Sequence, residues 1–109
     1  RKASDFDGSY VYSVNVWKVE TGKDMELIQR FMSSKPILEK AGARVEIYQA
    51  NWGAPGEYHY VLMFDSWSAL EESFSKLGPG SEWAAYMQSR ADDEIIAEQT
   101  AWFTGQTAN

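Results

Sequence analysis

Two segments of the chain are apolar on both faces of a predicted strand. Residues 10–19, with the sequence YVYSVNVWKV, are rich in β-branched and aromatic side chains, which predicts a strand. Residues 57–65, with the sequence EYHYVLMFD, have the same character and contain the single histidine of the chain, His59. Because a sheet with one face in water alternates apolar and polar residues, both segments predict central strands whose two faces are covered.

Apolar residues at helical spacing predict a first helix over residues 23–41, with a buried stripe made of Leu27, Ile28, Phe31 and Leu38. Thr21, three residues before Asp24, is a loose capping signal. Pro36 predicts a kink or an interruption, because proline lacks an N–H and clashes with the preceding turn. Gly42 is a suitable stop for this helix.

Two serines predict the starts of two further helices. Ser66 is a suitable N-cap for a second helix, which Gly78 ends and whose apolar stripe is Leu70, Phe74 and Leu77. Ser81 is a suitable N-cap for a short third helix over residues 82–90, with Trp83, Tyr86 and Met87 turned inward.

The remaining segments predict two more strands and two loose ends. Residues 44–51 (RVEIYQAN) predict a strand, and the turn WGAPG joins it to residues 57–65 as a hairpin. Residues 94–103 (EIIAEQTAWF) favour a strand over a helix because of their isoleucine, threonine and aromatic content. Residues 1–9 predict a flexible arm, residues 104–109 a fraying tail, and residues 10–105 a single domain.

The order β-α-β-β-α-(α)-β predicts an α+β fold of the ferredoxin-like type, with an antiparallel sheet. In this arrangement the first and third strands are central, and the helices cover one face only. The second face of those strands is also apolar, and an exposed apolar patch of that size is unusual in a monomer. The sequence therefore predicts a homodimer in which two sheets pack face to face around a two-fold axis.

Composition excludes several classes of partner. The net charge is −6 and the ten basic residues are scattered, so no cationic face for nucleic acid or for an anionic membrane is predicted. No apolar run approaches the ~20 residues that span a bilayer.

The chain begins at Arg1 rather than Met, so we expect that an upstream segment was removed. That segment could have been a signal peptide, and both the cytoplasm and export stay open.

The chain resembles the dimeric α+β barrel superfamily, which includes antibiotic-biosynthesis-type monooxygenases and NIPSNAP-like proteins. The resemblance is carried, in this order, by VNVWKVETGK, GARVEIYQAN, YHYVLMFDSWSAL and GSEWAAYM, which together cover about residues 10–103. It implies a homodimeric barrel built from ferredoxin-like subunits. The superfamily contains both enzymes and non-enzymes, so the resemblance does not determine an activity.

One site residue follows from this resemblance. Haem-degrading members carry an asparagine in the first strand, seven residues before the turn glycine, and Asn15 stands seven residues before Gly22. In that group the asparagine points between the sheet and the helices, where the ligand binds. The group's helix-two tryptophan and haem-ligating histidine have no counterpart here, because their positions fall near Ser73 or Phe74 and near Met87 or Gln88. No haem, and no other cofactor, is therefore predicted.

Asn15 and His59 are the polar residues that the sequence selects as catalytic candidates. A buried amide needs hydrogen-bond partners, which can include a ligand. Histidine titrates near neutrality and can act as a general base, although a half-buried histidine bonded to a neighbour is the simpler explanation. The 15% aromatic content, with five tryptophans, together with the resemblance implies an aromatic-walled pocket between sheet and helices, lined by Trp17, Phe31, Phe74, Trp83 and Tyr86. With one histidine and no cysteine, no transition-metal site is predicted.

Three functions are compatible with these features. The leading hypothesis is a small-molecule-binding protein without a catalytic constellation, whose ligand is a small aromatic or hydrophobic molecule. The enzymatic alternative is a cofactor-independent monooxygenase that acts on a phenol- or quinol-like substrate, which would itself supply electrons to oxygen. The third is a structural or interaction module that uses an exposed loop around Trp52 and has a filled interior.

Overall fold

The computed structural model describes residues 10–49 and 56–107. These residues form one antiparallel sheet of four strands in the order β2-β3-β1-β4, together with three helices. The elements are β1 (Val11–Val19), α1 (Asp24–Lys40), β2 (Arg44–Gln49), β3 (Glu57–Phe64), α2 (Trp67–Ser75), α3 (Glu82–Ser89) and β4 (Ala97–Gln106). The prediction of a ferredoxin-like α+β fold with the first and third strands at the centre is confirmed.

Strand alternation divides the sheet into a helix face and a far face. Asn15 of β1 lies opposite Tyr60 of β3, and both residues belong to the helix face. The core lies between this face and the helices, and its buried members include Val11, Leu27, Phe31, Leu38, Tyr58, Leu62, Phe64 and Ile96. Apolar alternate positions on the strands thus meet the apolar stripes of the helices, which is what holds the layers together.

The far face is apolar, but the apolar side chains that water reaches lie mainly on the outer strands β2 and β4. Val14 and Val16 of β1 are each only 8% exposed and Met63 of β3 is 3% exposed in the single chain. Phe103 of β4, which lies opposite Val14, is 48% exposed, and Tyr48 of β2 is 51% exposed. The two large rings at the flanks, rather than the central valines, therefore present apolar surface to water.

The pairing of β1 with β4 contains a β-bulge. Val16 lies opposite Ala101, whereas the next residue of β1, Trp17, lies opposite Gln99, so Thr100 is the extra residue. Each residue of a regular strand points to the face opposite that of its neighbour, and one extra residue reverses this alternation. Trp102 and Gln99 are three positions apart, so in a regular strand they would point to opposite faces. Because of the extra residue, both point to the helix face.

The last strand begins and ends later than the sequence predicts. It starts at Ala97 instead of residue 94, and it runs to Gln106, which lies opposite Val11. The prediction that residues 104–109 fray is therefore wrong for residues 104–106. Three further hydrogen bonds tie Thr107 to Tyr10, at 2.9 Å, 2.8 Å and 3.3 Å. Long-range pairing stabilises this polar segment, in which Gly105 weakens the strand propensity of the flanking threonines.

The first helix is continuous through Pro36, so the predicted interruption is wrong. Proline cannot donate to the carbonyl of Met32, one turn earlier, but both residues are on the exposed side of the helix, where water can hydrate that carbonyl. Thr21 does not cap this helix, because Lys23 occupies the N-cap and makes no side-chain capping bond.

The two predicted serine caps are confirmed. Ser66 Oγ accepts a hydrogen bond from the Ala69 N–H at 3.1 Å, and Ser81 Oγ accepts one from the Ala84 N–H at 3.0 Å. The second helix ends at Ser75, before the predicted stop at Gly78. The predicted arm over residues 1–9, the loop around Trp52 and the end of the second predicted strand lie outside the described residues. Within the described ranges, no helix has the length and apolarity needed to cross a membrane.

Candidate functional site

An open cavity of about 770 Å³ lies between the helix face of the sheet and the three helices. This volume falls within the range of roughly 300–1,000 Å³ that is usual for small-molecule sites. Its wall is mainly apolar and includes Leu27, Leu38, Leu62, Phe74, Leu77 and Ile96. The interior is therefore not filled, in contrast to the expectation for a purely structural module.

The structure brings six of the seven residues selected from the sequence to this cavity. Asn15 and Trp17 of β1 line it, together with Phe31, Phe74, Trp83 and Tyr86 from the helices. They come from four different elements, so the fold alone assembles them. Whether any of them binds a ligand stays a prediction.

His59, the seventh selected residue, does not line the cavity. It lies opposite Val16 on the far face of the sheet, and its Nε2 is 3.0 Å from Oε1 of Glu57, two residues away on the same strand. Strand alternation places the side chains of His59 and Asn15 on opposite sides of the sheet. The sequence hypothesis that these two residues work together on one substrate is therefore not supported by their positions.

Aromatic rings in the cavity wall form two groups, one on the sheet and α1 and one on α3. Phe31 stacks on Tyr60 with ring centroids 4.7 Å apart and planes inclined by 10°. Trp17 meets the edge of Phe31 at 6.2 Å, and Trp83 stacks on Tyr86 at 5.9 Å. Flat rings at the wall offer stacking and edge contacts to a planar aromatic ligand.

Asn15 is held by two hydrogen bonds of opposite direction. Its Nδ2 donates to the main-chain oxygen of Tyr60 at 3.2 Å, and its Oδ1 accepts from Nε2 of Gln99 at 3.0 Å. Gln99 also lines the cavity. Sequence reasoning missed Gln99. In a regular strand Gln99 would point to the face opposite that of Trp102, which is the far face, but the bulge at Thr100 turns it to the helix face.

Tyr60 presents a neutral phenol to the cavity. Ser34 Oγ donates to the main-chain oxygen of Phe31 at 2.9 Å, so its single hydrogen is used, and the Tyr60 hydroxyl donates to Ser34 Oγ across 2.7 Å. Burial raises the pKa of Tyr60 to about 12. This phenol therefore stays protonated at neutral pH and cannot serve as a base there.

Two tryptophan N–H groups on β1 and β4 differ in their partners. The Trp102 indole N–H donates to Ser13 Oγ at 2.9 Å. The Trp17 indole N–H is buried and has no hydrogen-bond partner among residues 10–49 and 56–107. A buried donor without a partner is uncommon, and it marks a place where a bound molecule or water would be stabilised.

The mouth of the cavity combines ion pairs with exposed apolar side chains. Arg30 pairs with Glu26 and Arg90 with Asp93, each at 3.1 Å. Three exposed residues also line this side of the cavity: Met87 at 51%, Ile95 at 86% and Trp102 at 58% exposure. Each of these two arginines already has a carboxylate partner. Neither guanidinium is therefore left unpaired for an anionic ligand.

The described cavity wall contains no imidazole, so a histidine-ligated haem does not fit it. Within the two described ranges, no cluster of three or more histidine, cysteine, aspartate or glutamate residues could hold a metal ion.

Solved structures with the same fold belong to two groups of proteins. A NIPSNAP domain protein from Burkholderia xenovorans superposes with a TM-score of 0.66 at 12% identity, over 91% of this chain and 93% of that one. The haem degrader MhuD from Mycobacterium tuberculosis, solved with two haems in its active site, gives 0.64 at 18% identity, over 91% and 96%. SnoaB, a cofactor-independent oxygenase from Streptomyces nogalater, gives 0.58 at 16% identity, over 92% of each chain.

The chain has the NIPSNAP and antibiotic-biosynthesis monooxygenase fold. The resemblance read from its four sequence segments is thereby confirmed at the level of the fold. No protein-family model and no curated protein sequence matches the chain. Identities of 12–18% show shared architecture and leave the activity to be argued from the site itself.

Proposed function

We propose that this protein binds a flat, largely apolar small molecule in the cavity between its sheet and its helices. The observation that carries the proposal is the 770 Å³ cavity with aromatic rings in its wall. The empty cavity leaves apolar side chains in contact with water. An aromatic ligand would bury this apolar surface and stack on the rings of the wall. MhuD, which has this fold at 18% identity, holds two haems in its active site, so a protein of this fold can bind flat, largely apolar molecules.

Binding of a simple probe tests this proposal. We expect 2-acetylnaphthalene to quench tryptophan fluorescence with a saturable Kd, because Trp17 and Trp83 line the cavity. Trp83→Leu removes a stacking surface worth ~0.5–1.5 kcal/mol beyond its buried area, so the Kd should rise at least about threefold. Trp67→Leu is the matched control, since Trp67 is an exposed tryptophan that does not line the cavity. An equal response of both variants, or no saturable binding, would contradict the proposal.

The second candidate function is a cofactor-independent monooxygenase acting on a phenol- or quinol-like substrate. The observation that favours it is the polar pair Asn15 and Gln99 on a mainly apolar wall, a place where a substrate oxygen could be held. SnoaB supports it as a cofactor-independent oxygenase of the same fold. The proton released by the substrate would go to a carboxylate at the mouth, such as Asp93 or Glu94, because Tyr60 remains protonated.

Oxygen consumption separates the binding protein from the oxygenase. The protein is mixed with a panel of naphthols and hydroquinones, and dissolved oxygen is recorded with an electrode. Catalysed uptake that disappears in Asn15→Leu but persists in His59→Gln indicates an oxygenase. Unchanged uptake across the panel, combined with saturable binding, leaves the binding function alone.

The proposed assembly is a homodimer formed through the far face of the sheet. The support is the half-exposed pair of rings at the flanks of this face, Phe103 and Tyr48, beside the apolar residues Val14 and Val16. A second copy would cover the two rings and complete a barrel, which is the closed two-fold arrangement that the resemblance implies. Sedimentation velocity should give a dimer for the wild type and a monomer for Phe103→Glu. Met25→Glu, an exposed substitution on α1, should remain dimeric.

A further inference from the structure

The amide of Asn15 has only one possible orientation in this structure. The main-chain oxygen of Tyr60 is an acceptor, so the atom of Asn15 that faces it at 3.2 Å must be the nitrogen. The other end is then the oxygen, and it faces the side chain of Gln99 at 3.0 Å. Gln99 must therefore present its own nitrogen, since two carbonyl oxygens at that distance would repel each other.

This chain of bonds leaves one hydrogen of Asn15 unused. The amide nitrogen carries two hydrogens, and the main-chain oxygen of Tyr60 takes one. No second acceptor for Nδ2 is found in the part of the chain that the structure describes. Asn15 lines the cavity and is partly accessible, so the second hydrogen is available to a bound molecule.

The bulge at Thr100 explains why Gln99 can reach Asn15. In a regular ladder Thr100 would lie opposite Trp17 and point to the helix face, whereas Gln99 would point to the far face. The observed register instead places Gln99 opposite Trp17, on the same side of the sheet as Asn15. Bulges frequently redirect a side chain next to a functional site.

We propose that Gln99 is a positioning residue that holds the Asn15 amide in one orientation, so that its free N–H binds a carbonyl, phenolate or hydroxyl oxygen of the ligand. The inference rests on the proposed function, because it requires a ligand in this cavity. It goes further in naming the ligand class: an aromatic molecule with an oxygen acceptor on its ring system. An aromatic hydrocarbon would leave the N–H unpaired and bind more weakly.

Removal of the Gln99 donor frees the Asn15 side chain to rotate away from its fixed orientation. Gln99→Leu deletes the donor at similar size, and Gln99→Glu replaces it with an acceptor that opposes Asn15 Oδ1. Glu98→Gln is the matched control, because Glu98 is the preceding residue of β4, is exposed and faces the other side of the sheet. Circular dichroism of each variant monitors folding.

The experiment compares 2-acetylnaphthalene with its hydrocarbon counterpart 2-isopropenylnaphthalene. Both Gln99 variants should weaken the ketone about 3- to 10-fold, the effect of one hydrogen bond, and leave the hydrocarbon nearly unchanged. Glu98→Gln should change neither Kd. In the background of Asn15→Leu, Gln99→Leu should have no further effect on the ketone, because Gln99 acts through Asn15.

Infrared difference spectroscopy with an isotope-labelled ketone supplies a readout that a purely structural residue would not affect. The carbonyl stretch of bound 2-acetylnaphthalene should lie at a lower frequency in the wild type than in Gln99→Leu, because a hydrogen bond weakens the C=O bond. Equal selectivity and equal stretch in the wild type and both Gln99 variants would overturn the positioning inference while ligand binding stands. If neither naphthalene binds the wild type, that result contradicts both the proposed function and this inference.

Discussion

The indole of Trp102 on β4 reaches diagonally to Ser13 on the neighbouring strand β1. The ladder places Trp102 opposite Asn15, yet its N–H donates to the hydroxyl of Ser13 at 2.9 Å, two positions along β1. Ser13 is only 1% exposed, whereas Trp102 is 58% exposed. A buried hydroxyl thus anchors a half-exposed ring beside the cavity, and the bond joins the edge strand β4 to the central strand β1.

Ser13→Ala should therefore lower stability by about 1 kcal/mol, the usual net value of one hydrogen bond, because the Trp102 N–H loses its partner. Urea denaturation measures the free energy of unfolding. Ser75→Ala is the control, because Ser75 is exposed and bonds only to the main-chain oxygen of Glu72 within its own helix. Equal unfolding free energies for the two variants would show that the Trp102 bond contributes nothing.

The ring of Tyr12 occupies the space beside Gly105 where a Cβ would lie. The two residues lie opposite each other on the far face, and a Cβ at Gly105 would come within 2.6 Å of Tyr12 Cζ. Gly105→Ala should lower stability by about 0.5–1.5 kcal/mol, because the Tyr12 side chain must leave its present rotamer. The double variant Gly105→Ala/Tyr12→Ala should be more stable than the sum of the two single changes implies.

Gly78→Ala serves as the control for this prediction. A Cβ at Gly78 meets nothing closer than the main-chain oxygen of Ser75, at 4.0 Å, and Gly78 does not have a positive φ. Thermal unfolding of the four variants is sufficient. Additive losses for Gly105→Ala and Tyr12→Ala would contradict a steric clash between these two residues.

Tyr60 should make the protein sensitive to alkaline pH. Burial raises its pKa from about 10 to about 12 in the folded state, so the folded protein holds this proton more tightly than the unfolded chain. The resulting stabilisation is fully present below pH 10 and is lost as the pH rises from about 10 to about 12. Tyr58 contributes in the same direction, because its hydrogen bond to Asp24 at 2.7 Å raises its pKa.

Tyr60→Phe isolates this effect. The variant loses the bond to Ser34, so it should be less stable than the wild type at pH 8, but its stability should fall less steeply between pH 10 and pH 12. Chemical denaturation at a series of pH values gives both quantities. A slope for Tyr60→Phe that equals the wild-type slope would show that Tyr60 does not titrate in this range.

His59 should be dispensable for ligand binding. It lies on the far face and bonds to Glu57, so His59→Gln should change the Kd of 2-acetylnaphthalene by less than about twofold, as expected for a substitution outside the site. Trp83→Leu, within the cavity, provides the positive comparison. A large loss of binding in His59→Gln would place the ligand on the far face and would exclude the cavity as the site.

Much of the fold is readable from the chain without the structure. The order of strands and helices correctly predicted the central positions of the first and third strands. Ser66 and Ser81 correctly predicted two helix starts, because caps depend on local hydrogen bonds. Helical periodicity turned Phe31 and Phe74 toward the sheet, and the resemblance placed Trp17 on the same side as Asn15. All three line the cavity.

Long-range pairing decided what local patterns could not. The strand that ends at Gln106 exists because β1 supplies hydrogen-bond partners to a polar segment. The bulge at Thr100 turned Gln99 toward Asn15, and strand alternation turned His59 away from it. Periodicity along the sequence thus determined the layers, the caps and the apolar wall. Only the register between strands decided which polar groups share the cavity, because a shift of one residue moves a side chain to the other face of the sheet.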